Sequence, residues 1–239
     1  MRNWTQTVVL VTGGSHGIGR ATALLLAERG ATVFICGRSK QALDETARLA
    51  EELAGELVAI VADVTEEAQV KALLEAVASL RGRLDVLINN AGMLGPRTPI
   101  EEVSLNDWQQ TLDVNLSGTF LVSRESIGLL RRSEQGLVIN LSSSVGRQGR
   151  ASWGAYSVAK HGVEGLTAVL AEELQGDGIC VVSVNPGGTA TRMRAEAYPD
   201  EDPKTLPSPE AIGQTLVRLA DELTLEQSGS RFDSRTLLR

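Results

Sequence analysis

Three side chains in the second half of the sequence have the types and the spacing that proton transfer needs. Tyr156 and Lys160 lie four residues apart, so on a helix they stack on one face, and Ser143 lies upstream. A neighbouring ammonium stabilises a phenolate and lowers the phenol pKa from its usual value of about 10. Such a tyrosine can protonate the alkoxide left by hydride transfer to a carbonyl, while the serine hydroxyl hydrogen-bonds the same oxygen. Alone, a tyrosine and a lysine at this spacing are more often a surface coincidence, so the prediction depends on the rest of the sequence.

A glycine-rich segment near the N-terminus supplies a second chemical signal. In "VTGGSHGIGRA", Gly13, Gly17 and Gly19 follow one predicted strand and open a helix. Glycines there let the backbone approach a pyrophosphate, and the free N–H groups and dipole of the helix N-terminus favour an anion. The spacing could be a plain tight turn, but its place between a strand and a helix predicts dinucleotide binding. The residues expected to contact the cofactor here are Gly13, Ser15, His16, Gly17, Ile18 and Gly19.

The end of the second predicted strand indicates which dinucleotide is bound. An enzyme that prefers NAD places an acid there for the adenine ribose, whereas this sequence has Gly37 followed by Arg38. A guanidinium suits a 2′-phosphate, and His16 could add a second contact. The sequence therefore predicts NADP(H) as the preferred cofactor, with NAD as the second choice. The alternative for Arg38 is a solvated surface side chain.

Two further strand ends could extend the binding groove. Asp63, with Val64 after it, follows the third predicted strand and could reach the adenine edge. The motif "NNAG" closes the fourth strand, and Asn89 at its start could equally be structural. The other three residues of the motif are expected to line the groove, namely Asn90, Ala91 and Gly92.

Alternating apolar and amphipathic segments predict the fold that positions these residues. Continuous apolar strands separated by helices are typical of a parallel sheet covered on both faces. Right-handed crossovers then give an α/β fold with a doubly wound, Rossmann-like sheet, which binds ligands at the carboxyl ends of its strands. The predicted strands are 7–11, 31–36, 57–61, 84–88, 136–141 and 179–184, and the predicted helices are 17–29, 40–53, 66–80, 107–131, 152–174 and 209–223.

Residues 1–239 are predicted to form a single domain. A chain of 239 residues can bury one sizeable core, and no repeat or low-complexity tract divides it. The segment at about 188–208 contains "YPDEDPKTLPSP", in which prolines and acids are packed together. It is predicted to be a mobile loop over the substrate site.

Composition excludes several classes of function. A net charge of −7 repels phosphate backbones, so no nucleic-acid partner is expected. Cys36 and Cys180 lie in apolar runs and are expected to be reduced core residues, and no metal site is predicted. No apolar run approaches the roughly 20 residues needed to span a bilayer, and the N-terminus does not resemble a signal peptide. A cytoplasmic protein with no membrane partner is therefore expected.

In their types and order, these motifs resemble those of the short-chain dehydrogenase/reductase family in its single-domain form. The resemblance runs from residue 7 to about residue 193 and includes "TGGSHGIG", "NNAG", "DVNLSGTF", "YSVAK" and "NPGGTATRM". It implies an NAD(P)-dependent oxidoreductase that interconverts a carbonyl and a secondary alcohol, with NADPH-dependent reduction of a ketone or aldehyde expected and Tyr156 as the acid/base; the physiological direction is left open. The family's serine lies thirteen residues before the tyrosine, which is Ser143 here. Asn115 corresponds to the asparagine that bends its helix and holds a water linking the lysine to solvent.

The resemblance also assigns residues around the nicotinamide. Lys160 would bind the nicotinamide ribose in addition to its effect on the phenol. Pro186 and Gly187 would flank the nicotinamide, while the Thr189 backbone and the Thr191 hydroxyl would hold its carboxamide.

The sequence departs from the family in two places. Members commonly end with a strand followed by an acid and two glycines, a region that often builds a subunit interface, but this chain ends "SGSRFDSRTLLR". A homodimer through the helices 107–131 and 152–174 is therefore expected, and a tetramer of the usual kind is left open. The second departure is His16, which stands where NADP-using members often carry Arg or Lys.

Two other functions fit part of the pattern. A catalytically inactive NADP-binding sensor or scaffold would be expected to lack at least one of Ser143, Tyr156 and Lys160, and all three are present. An epimerase or dehydratase of the related extended form would need an additional C-terminal domain, for which the chain is too short. The substrate is expected to be a small carbonyl compound or alcohol, of which the sequence shows no more than an apolar surrounding. The residues expected to flank it, each of which could equally be a core residue, are Met93, Leu94, Val145, Trp153 and Met193.

Overall fold

Seven strands form the centre of the computed structural model, which describes residues 2–237. They are β1 (Val8–Thr12), β2 (Thr32–Gly37), β3 (Glu56–Val61), β4 (Val86–Asn89), β5 (Leu137–Leu141), β6 (Cys180–Asn185) and β7 (Arg231–Asp233). They pair in the order β3–β2–β1–β4–β5–β6–β7, and every pair is parallel. The chain order reverses between β1 and β4, so the crevice that such sheets use for ligands opens at the carboxyl ends of these two strands. This confirms the predicted α/β, doubly wound sheet.

Helices cover both faces of the sheet. Side chains alternate along each strand, so Val9 and Val11 of β1 pack into the core on one face while Leu10 packs into the core on the other. Both cores are dry and apolar, which fixes the strand ends as rigid supports for a site. The helices are α1 (Gly17–Glu28), α2 (Lys40–Leu49), α3 (Glu67–Arg81), α4 (Leu105–Leu112), α5 (Gly118–Leu130), α6 (Gly154–Leu174), α7 (Arg192–Ala197), α8 (Pro209–Glu222) and α9 (Ser234–Leu237).

Side-chain caps set where several helices begin. Ser39, Ser104 and Ser208 precede α2, α4 and α8, and each hydroxyl accepts a backbone N–H from the first turn of its helix. Pro209 then occupies the first position of α8, where its missing N–H has no cost. These starts agree with the predicted ones to within two residues, because capping is a local signal.

The structure differs from the predicted helices in three places. Helix α2 ends at Leu49, four residues early, because the chain must turn there to bring Gly55 against the backbone of Ala31. Helix α6 begins at Gly154 because Ser152 has a φ of 62°, which a right-handed helix does not allow. The predicted helix 107–131 is interrupted, since a π-helical turn over Asp113–Ser117 separates α4 from α5.

The C-terminal third contains structure that the sequence patterns did not predict. The segment at about 188–208, predicted as a mobile loop over the substrate site, contains α7, whose first turn is capped by Thr191. Strand β7 was also not predicted. It has three residues, too few for a recognisable pattern, and it pairs with β6, which is distant in sequence. Glu164 of α6 holds it in place: its buried carboxylate accepts from Ser183 at 2.7 Å and pairs with Arg147 and Arg231, each at 3.2 Å.

Both cysteines lie in the core, as predicted. Cys36 and Cys180 are free and buried, and burial raises the pKa of their thiols to about 12 and about 11. Across residues 2–237, no group of three His, Cys, Asp or Glu side chains is arranged to hold a metal ion. None of the described helices is both long and apolar enough to cross a membrane.

Candidate active site

Two adjoining cavities open at the carboxyl edge of the sheet. The larger, here called the main cleft, has a volume of about 1070 Å³ and runs from the glycine turn after β1 past the ends of β2, β3 and β4. The smaller, here called the side pocket, has a volume of about 260 Å³ and lies between the end of β5 and α7. Tyr156 lines both cavities. Of the predicted site residues, the main cleft collects Gly13, Ser15, His16, Gly17, Ile18, Arg38, Asp63, Val64, Asn90, Ala91, Gly92, Asn115, Lys160, Pro186 and Thr191, and the side pocket collects Ser143, Gly187 and Thr189.

The glycine turn is shaped by close backbone contact. Gly13 and Gly17 have φ values of 65° and 53°, in the left-handed region that favours glycine. Gly19 lines neither cavity and instead lies under the turn, where a Cβ atom would be 2.3 Å from the carbonyl oxygen of Gly13. The amide of Asn90 donates to the carbonyl oxygens of Thr12 and Gly13 at 2.8 and 3.2 Å, so this side chain fixes the turn. The turn leaves the first N–H groups of α1 facing the main cleft, ready for an anion.

The far end of the main cleft carries one exposed cation. Arg38, directly after β2, is exposed and takes part in none of the ion pairs formed within residues 2–237. Asp63 lies across from it, and its Oδ1 accepts both the backbone N–H and the hydroxyl of Thr65, at 3.0 and 2.8 Å. The free guanidinium is placed where the sequence predicted a 2′-phosphate contact.

Tyr156 and Ser143 meet where the two cavities join. The phenol is half-buried, and burial raises its pKa to about 12, while the neighbouring Ser143 hydroxyl lowers it in part. The phenol is therefore protonated at neutral pH and can act as an acid. Its ring packs against Trp153, with ring centroids 5.8 Å apart.

Lys160 is buried one helical turn beyond the tyrosine. Its Nζ donates to the carbonyl oxygen of Leu141 at 2.7 Å and lies 5.7 Å from the centre of the Tyr156 ring. Burial lowers the pKa of the ammonium to about 8, against a smaller raising effect of Glu164. The expectation that Lys160 lowers the pKa of Tyr156 is not met in this structure, because desolvation of the phenol dominates and the lysine is committed to a carbonyl.

Asn115 lies in the π-helical turn and lines the main cleft. Its side-chain amide donates to the carbonyl oxygens of Met93 and Thr111, at 2.8 and 2.9 Å, and so ties the loop after β4 to the helix. Single π-helical turns are frequent at functional sites. The distortion agrees with the bend that the family resemblance implies at this residue.

The segment after β6 closes the site from the other side. Gly187 has a φ of 71°, and its N–H donates to the side chain of Asn185 at 3.0 Å. The Thr191 hydroxyl caps α7 by accepting the N–H of Arg194 at 3.2 Å, and its methyl group faces Gly17. The segment thus brings Thr191 against the glycine turn and leaves Thr189 in the side pocket.

The side pocket contains residues that sequence reasoning missed. Four of the five predicted apolar residues line it, namely Leu94, Val145, Trp153 and Met193. The fifth, Met93, lines the main cleft and not the side pocket. No motif singled out the others, because they come from four separate loops and short helices. The missed charged and aromatic residues that line the side pocket are Arg150, Arg194, Tyr198, Asp233 and Arg235, and Arg97 of the main cleft packs against Trp153 and Tyr198.

The low pKa of Lys160 has a consequence for stability. The native lysine loses its proton near pH 8, while in the unfolded chain it does so near pH 10.4, so the unfolded state binds more protons between these values. We expect the free energy of unfolding of the wild type, relative to Lys160→Met, to increase by about 2–3 kcal/mol between pH 7 and pH 10. Denaturant titrations of both proteins measure this difference. The buried cysteines lower the free energy of unfolding as the pH rises, but they do so equally in both proteins, so their effect cancels in the difference. A difference that stays constant with pH would contradict the assignment.

Known proteins share this sequence and this architecture. The family model for short chain dehydrogenases matches residues 7–202. The uncharacterized oxidoreductase YciK of Escherichia coli K12 is 38% identical over 95% of this chain and 91% of its own length, and levodione reductase of Leifsonia aquatica is 36% identical over 84% and 76%. A crystal structure of a short chain dehydrogenase from Escherichia coli CFT073 with NADPH is 36% identical, covers 96% of each chain and has a TM-score of 0.89. The chain belongs to the short chain dehydrogenase family.

Proposed function

We propose that this protein uses NADPH to reduce the carbonyl group of a small molecule to an alcohol. One observation carries the proposal: the Tyr156 hydroxyl, with Ser143 beside it, stands at the junction of a long cleft and a small pocket. The cleft suits a dinucleotide and the pocket suits a compact substrate. A cofactor in the cleft and a substrate in the pocket can react only at this junction, so the proton donor lies where it is needed.

The residues of the main cleft fit the cofactor. The turn at Gly13 and Gly17 leaves room for a pyrophosphate, and the N-terminus of α1 favours its charge. Arg38 supplies an unpaired guanidinium for the 2′-phosphate, and the similar protein from Escherichia coli CFT073 was crystallised with NADPH. Toward the sheet centre, Lys160 would hold the nicotinamide ribose, and Thr189 and Thr191 the carboxamide. When bound, the cofactor supplies the hydride.

Protein side chains supply the rest of the chemistry. Ser143 hydrogen-bonds the carbonyl oxygen, and Tyr156 donates its proton to that oxygen as negative charge develops there. Lys160 lies behind the phenol, with its Nζ 5.7 Å from the ring centre, and is the one buried cation among residues 2–237, where it would bind the nicotinamide ribose. Asn115 positions the loop that forms the adjoining wall.

The cofactor preference is testable through Arg38. A charge-assisted contact to phosphate is worth about 1.5–3 kcal/mol, so Arg38→Asp is expected to weaken NADPH binding roughly 10- to 150-fold and to leave NADH binding equal or stronger. Fluorescence titration of both cofactors into both proteins measures this. Arg48→Asp, at an exposed position on α2 outside both cavities, is the matched charge control. Equal affinities of the wild type for NADPH and NADH would refute the preference.

We also propose that the protein is a homodimer through α4, α5 and α6. Their outer surface exposes Leu105 (81%), Phe120 (43%) and Val158 (47%), an apolar surface of the kind that interfaces cover. Light scattering is expected to give twice the chain mass of 25.4 kDa, and Phe120→Glu is expected to give the single-chain mass. A wild type that remains monomeric at micromolar concentration would disprove the dimer.

A further inference from the structure

We propose that the substrate carries an anionic oxygen group, a carboxylate or a phosphate, which Arg150 and Arg235 bind at the mouth of the side pocket. The inference rests on the proposed carbonyl reduction in this pocket and adds the chemical class of its substrate. Its basis is an excess of arginines that form no ion pair within residues 2–237, around a small, partly aromatic pocket.

Two arginines line the side pocket without an ionic partner. Arg150, in the loop before α6, and Arg235, in α9, both line this pocket and are not among the residues of the main cleft. Neither forms an ion pair with a carboxylate of residues 2–237. Because they lie outside the main cleft, the phosphates of the dinucleotide do not account for them.

Arg235 lies against the Gly187–Gly188 segment, which lines the side pocket. Its side chain crosses the Gly187–Gly188 backbone so closely that a Cβ atom on Gly187 would be 2.9 Å from its Nε. A Cβ atom on Gly188 would be 3.3 Å from a terminal nitrogen of Arg235. Gly187 is also a residue that the family resemblance places beside the nicotinamide. The guanidinium therefore lies next to the place where a substrate must bind to react.

The acids near the pocket are already engaged. Asp233 is the one carboxylate among the described residues that line it, and its two oxygens accept from the Asn185 amide at 2.8 Å and the Arg235 backbone N–H at 3.0 Å. Glu201 forms a two-point ion pair with Arg194, at 2.5 and 2.7 Å, which neutralises that arginine. With Arg150 and Arg235 against Asp233, the lining keeps an excess of positive charge.

A third cation, Arg97, lines the main cleft next to the side pocket. The Arg97 guanidinium lies 4.3 Å from the centre of the Trp153 ring and 4.9 Å from that of Tyr198. Its Nε is buried and has no hydrogen-bond partner within the described chain, and no carboxylate there pairs with it. The Trp153 and Tyr198 rings that it contacts line the side pocket, so this cation adds to the positive charge around the pocket.

The pocket lining limits the rest of the substrate. Its volume of about 260 Å³ lies at or below the lower end of ordinary ligand pockets, so the group beside the carbonyl is compact. Leu94, Val145 and Trp153 give it an apolar wall. The substrate is accordingly a small keto compound with an apolar body between its carbonyl and its anionic group.

Three probes that differ in one substituent test this proposal. With NADPH, kcat/KM is measured for 4-acetylbenzoate, 4-acetylbenzamide and 4-acetylphenyl phosphate at low and high salt. We expect the better anion to exceed the amide at least about tenfold, with an advantage that shrinks at high salt. Whichever of the carboxylate and phosphate probes has the higher kcat/KM identifies the anion that the site prefers. In the double variant Arg150→Gln/Arg235→Gln the anion-to-amide ratio should fall about tenfold, while Arg48→Gln should retain it.

A binding measurement separates this proposal from the proposed reaction. Calorimetry of the NADPH-loaded Tyr156→Phe protein reports the affinity for acid and amide without turnover. Tighter binding of the acid, lost in the double variant, supports the anion site even if the wild type reduces none of the probes, a result that would count against carbonyl reduction instead. Equal affinity for acid and amide, or an amide reduced as well as the acid, would overturn the anion site and leave the reductase assignment standing.

Discussion

Tyr156→Phe is expected to lower the turnover of any active carbonyl substrate by about 10²–10⁴-fold, the usual worth of a general acid. The substitution removes the hydroxyl group alone, and the ring keeps its packing against Trp153. The affinity for NADPH and the free energy of unfolding are therefore expected to stay close to those of the wild type. Steady-state rates, NADPH titration and denaturation of the purified variant measure all three.

The second tyrosine of the chain is a matched control for this change. Tyr198 also lines the side pocket, and Tyr198→Phe removes the same hydroxyl group from a residue that does not meet Ser143. Its turnover should remain within the same order of magnitude as that of the wild type. A Tyr156→Phe protein that keeps more than about a tenth of wild-type turnover lies outside the general-acid range and would exclude Tyr156 as the proton donor.

Gly19→Ala is expected to abolish NADPH binding without touching the cofactor directly. The added Cβ atom would lie 2.3 Å from the Gly13 carbonyl oxygen and 2.4 Å from the Asn90 amide nitrogen. Neither group can move freely, because the Asn90 amide itself holds the turn through Thr12 and Gly13. The turn must open, at a cost of about 3 kcal/mol in the free energy of unfolding. Thermal denaturation with and without NADPH reports both effects.

A glycine with free space around it provides the comparison. Gly128 lies inside α5, where a Cβ atom would have no neighbour within 4 Å. Gly128→Ala is expected to raise the free energy of unfolding by up to about 1 kcal/mol through helix propensity and to leave NADPH binding unchanged. If Gly19→Ala behaved like Gly128→Ala, the close packing of the glycine turn would not be what shapes the cofactor site.

The sheet could be predicted from sequence because its signals are local and strong. Strand β1, for example, is a run of apolar residues from Val8 to Val11 that ends in a glycine turn. Strand β7 has no such signal, since Arg231–Asp233 contains one apolar residue and its register is set by Ser183 and its neighbours in β6. The break at Asp113–Ser117 was implied by resemblance and not by periodicity, because a π-helical turn changes the hydrogen bonds but not the apolar pattern.

The candidate site divides in the same way. The residues of the main cleft follow strand ends, so the order of the motifs along the chain is enough to place Gly13, Arg38 and Asn90 on one edge of the sheet. The arginines of the side pocket come from segments far apart in sequence, such as Arg150 and Arg235, and their meeting depends on tertiary folding. The spacing of Tyr156 and Lys160 predicts a lowered pKa for the tyrosine, whereas burial of the phenol raises this pKa. The spacing of two residues does not show how far either of them is buried.

The ion pairs of Glu164 bear on the order in which the molecule is completed during synthesis. Arg231 contacts this carboxylate one helical turn beyond Lys160, and β7 leads into Arg235 beside Gly187. Since ribosomes build chains from the N-terminus, a nascent chain ending before β7 carries a buried acid without one of its cations, and its side pocket lacks Asp233 and Arg235. The described residues that line the main cleft all precede β7, so the side pocket is completed after the main cleft.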